Sequence, residues 1–330
     1  MNIINPTPSP TCTDTDLVVE CAVPLADKTW FKTGGIATFF CEPTTAQEFQ
    51  QALEFAREFR APIFVLGEGA NVLISDEGFD GLVIRPYLMH THHTVVDAHT
   101  AHVHTGAGTS MHDLILYCLE HNLLGLEEFS GIPGTVGGSL YINLHYFEFL
   151  LEQFLVTADI IDRATGTVST VTPDWFCFGY NQSKLQEHNH YVVNATFKLR
   201  RGTDLETAYA EGRRIEIIRH RKSRYPAANT CGSFFRNFLP HEVTLESNGK
   251  KMIYVAYYLD KIGVKGTLLF GDAVVSYQHA NMLVNRGKAT SSDLITLARM
   301  MQELVLKQFG IVPRPECLLI GFDEYPLLKP

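Results

Sequence analysis

The 330-residue chain reads as a mixed helix-and-sheet protein of about two domains, arranged around two glycine-rich loops. Three observations predict this. Short apolar runs with strand character alternate with amphipathic stretches of helical period. Gly67-Glu-Gly-Ala-Asn71 and Gly131-Ile-Pro-Gly-Thr-Val-Gly-Gly138 punctuate the N-terminal part. A composition shift at Arg200-Arg-Gly-Thr-Asp204, ahead of a long polar helix, places a domain boundary just before residue 205.

Taken in order, residues 1–16 are polar, carry three prolines and read as a loose tail. Leu17 to Val23 has strand character. Thr45-Ala-Gln-Glu48 has the form of a capping box, and Phe49, Ala52, Leu53, Ala56 and Phe59 continue at helical spacing. Pro62 to Leu66 is a compact buried strand, the first glycine loop turns the chain, and Val72 to Ile74 begins the next strand. A loop at a strand end is where α/β folds place ligands. Gly81 to Arg85 and Thr94 to Gly108 read as further strands, and Ser110 caps a helix running to about Asn122. Residues 155–163, 167–172 and 191–200 are strand-like, with Thr172-Pro-Asp174 opening a short helix between them. The helix near 205–222 becomes basic at its end through Arg219, Arg221, Lys222 and Arg224. A helix near 250–262 and a strand near 272–276 follow. The last long helix starts at Ser291 or Ser292, with Leu294, Leu297, Ala298, Met301, Leu304 and Val305 as its buried stripe and Gly310 as its C-cap.

Composition excludes several classes of function. A formal net charge of −9 argues against nucleic acid as the main partner, because phosphate binding rests on an excess of Lys and Arg. The 7 cysteines are odd in number, scattered, and form no CxxC pair, so reduced thiols are expected rather than a disulfide framework. No signal peptide is recognisable, and no run approaches the roughly 18 apolar residues of a membrane span. A cytoplasmic protein with no membrane partner is the expectation.

The loops carry the chemistry. In the first, two glycines and an asparagine adopt positive φ at little steric cost, so consecutive N–H groups can converge on an anion. A tight β-turn would also use these residues. In the second, small side chains let a ligand lie against the backbone while Pro133 stiffens the approach; a purely structural crossover is the other possibility. Thr105-Gly-Ala-Gly108 adds a third glycine turn. Neither GxGxxG nor GxxxxGK[ST] is present, so distributed loops gripping a cofactor along its length fit better than a Rossmann site.

These segments together resemble a known family. Leu66-GEGANVLISDEGFDGLVI, Thr105-GAG, Gly131-IPGTVGGS, Cys231-GSFFRN, His279-ANMLVN and Pro315-ECLLIG are similar, in this order, to UDP-N-acetylenolpyruvoylglucosamine reductases, the MurB family of peptidoglycan synthesis. The resemblance implies an α+β fold of the vanillyl-alcohol-oxidase/PCMH type with a C-terminal substrate domain. It implies a tail at 1–16, FAD-binding subdomains at 17–85 and 86–203, a substrate domain at 204–312, and a returning segment at 313–330. It implies non-covalent FAD, NADPH as electron donor, and a sugar-nucleotide substrate taken by a monomer or weak homo-oligomer. The residues implied against FAD are Leu66, Gly67, Glu68, Gly69, Ala70, Asn71, Val72, Gly106, Gly108, Ile132, Pro133, Gly134, Gly137, Gly138 and Val192. Ser233 matches the family's proton donor, Glu316 the glutamate of the closing Pro-Glu motif, and Tyr180-Asn181 a Tyr-Arg pair near flavin and substrate. Arg236, Asn237 and Asn281 are implied on the substrate, with Lys265 a recurrent family lysine. The basic run that holds Arg221 has two readings, a contact to the substrate diphosphate or the favourable basic end of a helix.

The match breaks at three places. Asn181 stands where the family has an arginine, so the charge-assisted part of a carboxylate contact is lost, unless Lys184 or an arginine of the basic run supplies it. Asn143-Leu-His-Tyr146 replaces a run of small residues, and Phe238 replaces a proline. A paralogous flavin oxidase or dehydrogenase with another substrate, or a non-catalytic FAD-binding protein, therefore stands beside the reductase. His90, His92, His93, His99, His102 and His104 form a further cluster. His92 and His104 can meet across a hairpin, but with no supporting Cys or carboxylate pattern a solvent-facing hairpin is expected over a metal site.

Overall fold

The computed structural model describes residues 17–329, so the expected loose tail at 1–16 lies outside the described residues. β1 (Glu20–Pro24) pairs antiparallel with β2 (Ile36–Cys41), starting later than the expected Leu17. After α1 (Ala46–Glu58) come β3 (Ile63–Val65), β4 (Val72–Ile74) and β5 (Phe79–Ile84), and β5 runs parallel between β2 and β3. α1 buries Phe49, Ala52, Leu53, Phe55 and Ala56 in one cluster with Leu82 and Ile84 of β5. Phe59 does not join them, because the helix closes at Glu58 and Phe59 is left exposed as its C-cap. The expected capping box is half formed. Thr45 accepts from the Glu48 N–H, but the Glu48 carboxylate turns to Thr44 instead, taking its N–H at 2.5 Å and its hydroxyl at 2.8 Å.

The next unit is an antiparallel sheet. The stretch 94–108 is not one strand but the end of one hairpin arm and all of the other, β6 (Thr91–Val95) and β7 (Thr100–Gly106). Asp97 reverses the chain between them by accepting from the His99 N–H at 2.7 Å, an Asx turn. α2 (Met111–Glu120) follows, N-capped by Ser110. Then come β8 (Leu123–Leu124), α3 (Val136–Tyr141), the small hairpin β9 (His145–Tyr146) and β10 (Phe149–Leu150), β11 (Leu155–Asp162), β12 (Val168–Val171) and β13 (His190–Arg201). The sheet order is β12-β11-β13-β7-β6, with β8 paired to the end of β13. Met111, Leu114 and Ile115 of α2 and Val136 and Leu140 of α3 share a core with Val103, Ala195 and Phe197 of the sheet.

α4 (Asp204–Arg224) leads into the last unit, opened by a complete capping box between Thr203 and Glu206. β14 (Glu246–Ser247) and β15 (Lys250–Lys251) form a small hairpin, followed by α5 (Val255–Lys261). β16 (Leu269–Phe270), β17 (Ala273–Val275) and β18 (Leu283–Asn285) form a three-stranded sheet covered by α6 (Ser291–Phe309). Leu294, Leu297, Ala298, Met301 and Val305 are buried as expected. Leu304 is exposed, because it stands at the edge of that stripe. Gly310 closes α6 in the left-handed conformation, φ 70°. The chain then returns to its beginning: β19 (Leu318–Ile320) pairs in parallel with β4.

Candidate active site

A cavity of about 930 Å³ lies where the three units meet. Both glycine loops line it, with Tyr191 and Val192 of β13, the end of α4, and the segments around Ser233 and Glu316. The first loop packs too closely on its neighbours for its glycines to carry side chains. A side-chain carbon at Gly67 would stand 2.8 Å from Thr135 Oγ1, and one at Gly69 (φ 69°) would stand 2.3 Å from the Lys28 carbonyl. Glu68 ties the loops together by accepting the Gly134 N–H at 2.9 Å. Burial raises the Glu68 carboxyl above its usual range, against that hydrogen bond, which lowers it. Thr135 caps α3 by accepting from the Gly138 N–H at 3.2 Å, and the Gly137 N–H donates to the Ala107 carbonyl at 2.9 Å.

Leu66, Gly67, Glu68, Gly69, Ala70, Asn71, Val72, Ile132, Pro133, Gly134, Gly137, Gly138 and Val192 all line this cavity. Gly106 and Gly108 do not. Side-chain carbons there would meet the Leu88 carbonyl at 2.1 Å and the Pro86 carbonyl at 2.3 Å, so these glycines let β7 press against residues 86–88. Ala107, between them, is the residue that lines the cavity. An FAD fits the residues present. A side-chain carbon at Gly134 would meet nothing nearer than 3.9 Å, which leaves room against the loop for a ligand. The Tyr191 hydroxyl, on a cavity-lining residue, is buried with no hydrogen-bond partner in the protein.

The reactive end is built by one extended segment held between two others. Ser233 bridges Met282, and Phe235 bridges Pro315. The Phe234 N–H donates to the Asn281 carbonyl at 2.8 Å, while the Glu316 N–H donates to the Phe234 carbonyl at 2.8 Å. This pairing brings Ser233 and Glu316 to one wall of the cavity. Burial pushes the Glu316 carboxyl up to about 7. The Asn181 side chain beside it pulls the other way, although the Asn181 Nδ2 finds no hydrogen-bond partner of ordinary geometry. Asn181 is held at φ 53° in the turn bridging Gly179 and Gln182. The Tyr180 ring is exposed and its residue does not line the cavity, but its hydroxyl is raised by burial and then by the Glu316 carboxylate, and lowered by Asn237. Asn71 links the first loop to this end, its Nδ2 donating to the Glu316 carbonyl at 3.4 Å.

The residues expected on the substrate divide. Asn237 lines the cavity and also accepts the Val255 N–H at 3.2 Å. Arg221 lines it too: its Nε donates to the Gly131 carbonyl at 3.0 Å, and its guanidinium stands 5.2 Å from the Tyr225 ring centroid and 5.9 Å from that of Tyr146. Among the described residues no carboxylate pairs with Arg221, and desolvation lowers its pKa. Arg236 and Asn281 do not line the cavity. Arg236 makes a bidentate pair with Glu242 at 2.7 and 2.8 Å, holding that carboxyl at about 2. The Asn281 amide is spent on the Phe235 backbone, donating at 2.7 Å and accepting at 3.0 Å. Lys265 is exposed outside the cavity, and Lys184 sits 5.0 Å over the Trp175 ring rather than supplying charge at Asn181.

Sequence reasoning missed Trp30 and Tyr225 in the cavity wall, which no local motif marks, and gave His279 no role although it opens the His279-ANMLVN motif. Of the basic run, Arg221 and Lys222 line the cavity, while Arg219 pairs with Glu216 on the surface. Leu144, His145 and Tyr146 form part of the wall, as their position after the second loop implied. The histidines belong to a surface hairpin. His92 and His104 stack with centroids 4.9 Å apart, and the His104 ring nitrogens meet Thr196 and Thr94 at 3.0 and 3.2 Å. Among the described residues no group of three or more His, Cys, Asp or Glu is placed to hold a metal, and no helix is long and apolar enough to cross a membrane.

Comparison with known proteins agrees with this geometry. Residues 37–172 match the family model described as FAD binding domain, and residues 224–320 the model described as UDP-N-acetylenolpyruvoylglucosamine reductase, C-terminal domain. The chain is 34% identical to the UDP-N-acetylenolpyruvoylglucosamine reductase of Synechococcus sp. (strain WH7803), over 93% of this chain and 94% of that one. It is 33% identical to the reductase of the same name from Lactobacillus delbrueckii subsp. bulgaricus, over 91% and 94%. The crystal structure of UDP-N-acetylenolpyruvylglucosamine reductase (MurB) from Thermus caldophilus superposes with a TM-score of 0.74 at 27% identity, covering 92% of this chain and 100% of that one. The α+β class holds, the cavity is the meeting place of an FAD-binding domain and a MurB C-terminal domain, and the chain belongs to the UDP-N-acetylenolpyruvoylglucosamine reductase family of flavoenzymes.

Proposed function

We propose that the chain reduces UDP-N-acetylglucosamine enolpyruvate to UDP-N-acetylmuramate with NADPH as electron donor, and that Ser233 is the proton donor. The observation that carries this reading is the meeting of Ser233 and Glu316 on hydrogen-bonded segments at one wall of the cavity. FAD, when bound along the two loops, supplies hydride transfer. The chain's own groups do the rest. The Ser233 hydroxyl donates a proton to the substrate carbon that has gained electron density. Glu316, with its carboxyl near neutrality, is suited to hold or return a proton beside that hydroxyl. Arg221 and Lys222 offer positive charge to the anionic groups of a sugar nucleotide.

Anaerobic mixing tests the reading. NADPH should bleach the bound flavin, and the enolpyruvyl substrate should restore its absorbance. In Ser233→Ala the bleaching should survive while the restoration slows by about 10²–10⁴-fold, the contribution of a general acid. Equal loss of both half-reactions would make Ser233 structural. A second reading, reduction of a different acceptor, is favoured by one feature: the uncharged Asn181 beside Glu316, in a cavity whose lining includes the bulky Leu144, His145 and Tyr146. Bleaching by NADPH without restoration by the enolpyruvyl compound would select it.

A further inference from the structure

Two of the places where the sequence departs from the family motifs pack against each other. The Asn143 Nδ2 donates to the Gly179 carbonyl at 3.3 Å, tying the segment after the second loop to the turn that bridges Gly179 and Gln182. Two residues on, the His145 ring lies 5.2 Å from the Tyr180 ring, centroid to centroid. Pairing of His145 with Leu150 across the β9–β10 hairpin fixes its place in the wall. Asn181 follows Tyr180, and His145 and Asn181 both line the cavity that Ser233 and Glu316 share.

The reductase reading makes a demand on this end of the cavity. An enolpyruvyl group bears its carboxylate on the carbon that Ser233 protonates in that reading. The carboxylate therefore comes to the wall that also holds Glu316, and it needs a donor to offset the loss of water. The side chains lining the cavity that can carry positive charge are Arg221, Lys222, His145, His188, His190 and His279. Arg221 is bonded to the Gly131 carbonyl between the Tyr146 and Tyr225 rings, and Lys222 follows it on α4. His188 stands against Tyr141, His190 lies 3.4 Å from the Asp162 carboxylate, and His279 lies 5.5 Å from the Tyr225 ring and accepts the Asn281 N–H. His145 is the one whose ring meets the Tyr180-Asn181 turn. It is not among the described histidines whose ring nitrogens have a hydrogen-bond partner of ordinary geometry, which are His93, His104, His121, His220 and His279. Burial lowers the pKa of the ring, against the Asn143 carbonyl, which raises it, and a neutral imidazole keeps one N–H.

We propose that His145 sets the preference of this chain for a carboxylate-bearing substrate, its ring N–H donating to the carboxylate of the enolpyruvyl group. The proposal rests on the reductase reading and deepens it. The bulky residue at 145 and the missing charge at 181 are then one change, in which a donor on one segment replaces a donor on the segment packed against it.

The test uses the flavin-loaded, oxidised protein and two probes, the enolpyruvyl sugar nucleotide and its carboxyl methyl ester. Affinity is read from the change each causes in the flavin absorbance. Wild type should bind the acid more tightly than the ester. In His145→Ala the affinity for the acid should fall about 10–100-fold, the range for a hydrogen bond to a charged group. The ester should change little, so the preference collapses. His145→Phe, which keeps a ring against Tyr180 but has no N–H, should behave in the same way, and it carries the comparison if His145→Ala fails to retain flavin. His145→Gln should keep part of the preference, and Asn181→Arg in the His145→Ala background should restore it. An acid-to-ester ratio equal to wild type in both His145→Ala and His145→Phe would overturn the proposal. So would an equal loss for both probes, which makes His145 a packing residue, or a wild type with no preference. Wild-type protein that binds neither probe overturns the reductase reading itself, so the two failures are distinguishable.

Discussion

Glu316 is the residue at which burial and chemistry oppose each other most openly. Its folded-state carboxyl, at about 7, binds a proton that the unfolded chain has released near 4.5. Between those values the folded state holds more protons than the unfolded one, so stability falls as pH rises from about 4.5 to about 7 and levels off above. The upper bound is on the order of 3 kcal/mol, from 1.36 kcal/mol per pK unit. Glu316→Gln should flatten this part of the curve, as read from urea midpoints across the pH range; an unchanged slope would place the titration elsewhere. Asn181→Arg, which introduces the charge that the sequence resemblance implies, meets an obstacle at this scale. The residue is held at φ 53°, so arginine adds left-handed strain of about 1–2 kcal/mol to any gain from its charge. A fall in melting temperature with unchanged or raised turnover is the expected outcome. The site was legible only in part. Ser233, Glu316 and both loops stand in recognisable motifs, whereas the fates of Arg236 and Asn281 depended on Glu242 and the Phe235 backbone, which no spacing pattern announces.

At the scale of elements, local rules served wherever a helix supplies its own cap. Ser110 and Thr203 did so, and their helices began where the sequence placed them. α6 shows what such rules omit. Thr290 and Asp293 cap each other, but Asp76, on the turn between β4 and β5, also accepts from the N–H groups of Ser291 and Ser292 at 2.7 and 2.8 Å. A carboxylate from the turn after β4 thus serves the positive end of α6. Its sequence separation from α6 hid it, as the reversal at Asp97 hid the split of the expected 94–108 strand. Asp76→Ala should cost about 2 kcal/mol, the upper end for an N-cap, measurable as a lowered denaturant midpoint with the slope unchanged. If both remain at their wild-type values, the contact contributes nothing net.

On the scale of the whole molecule, three units with largely separate cores share one cavity, so its occupant contacts all of them. Ligand that binds only the folded state stabilises it by about 2.7 kcal/mol at a hundred times its dissociation constant. Removal of FAD should therefore lower the melting temperature of the chain as a whole, and added FAD should restore it in proportion to the logarithm of its concentration. Glu68→Ala removes the bond between the loops. It should weaken flavin retention on gel filtration about tenfold, the order expected for loss of a hydrogen bond to a charged group. Retention equal to wild type would show that the loops hold their places without Glu68.

The parallel pairing of β19 with β4 has a consequence in time. A ribosome makes both glycine loops by residue 138 but delivers Glu316 and its supporting strand only 178 residues later, 316 minus 138. Synthesis runs at about 5–20 residues per second, so for many seconds a nascent molecule can carry most of a cofactor cradle with no acid to complete it. The two halves of the chemistry are separated during the one period when the protein is only partly folded, and until residue 316 is made the cradle lacks the carboxyl that shares a wall with Ser233.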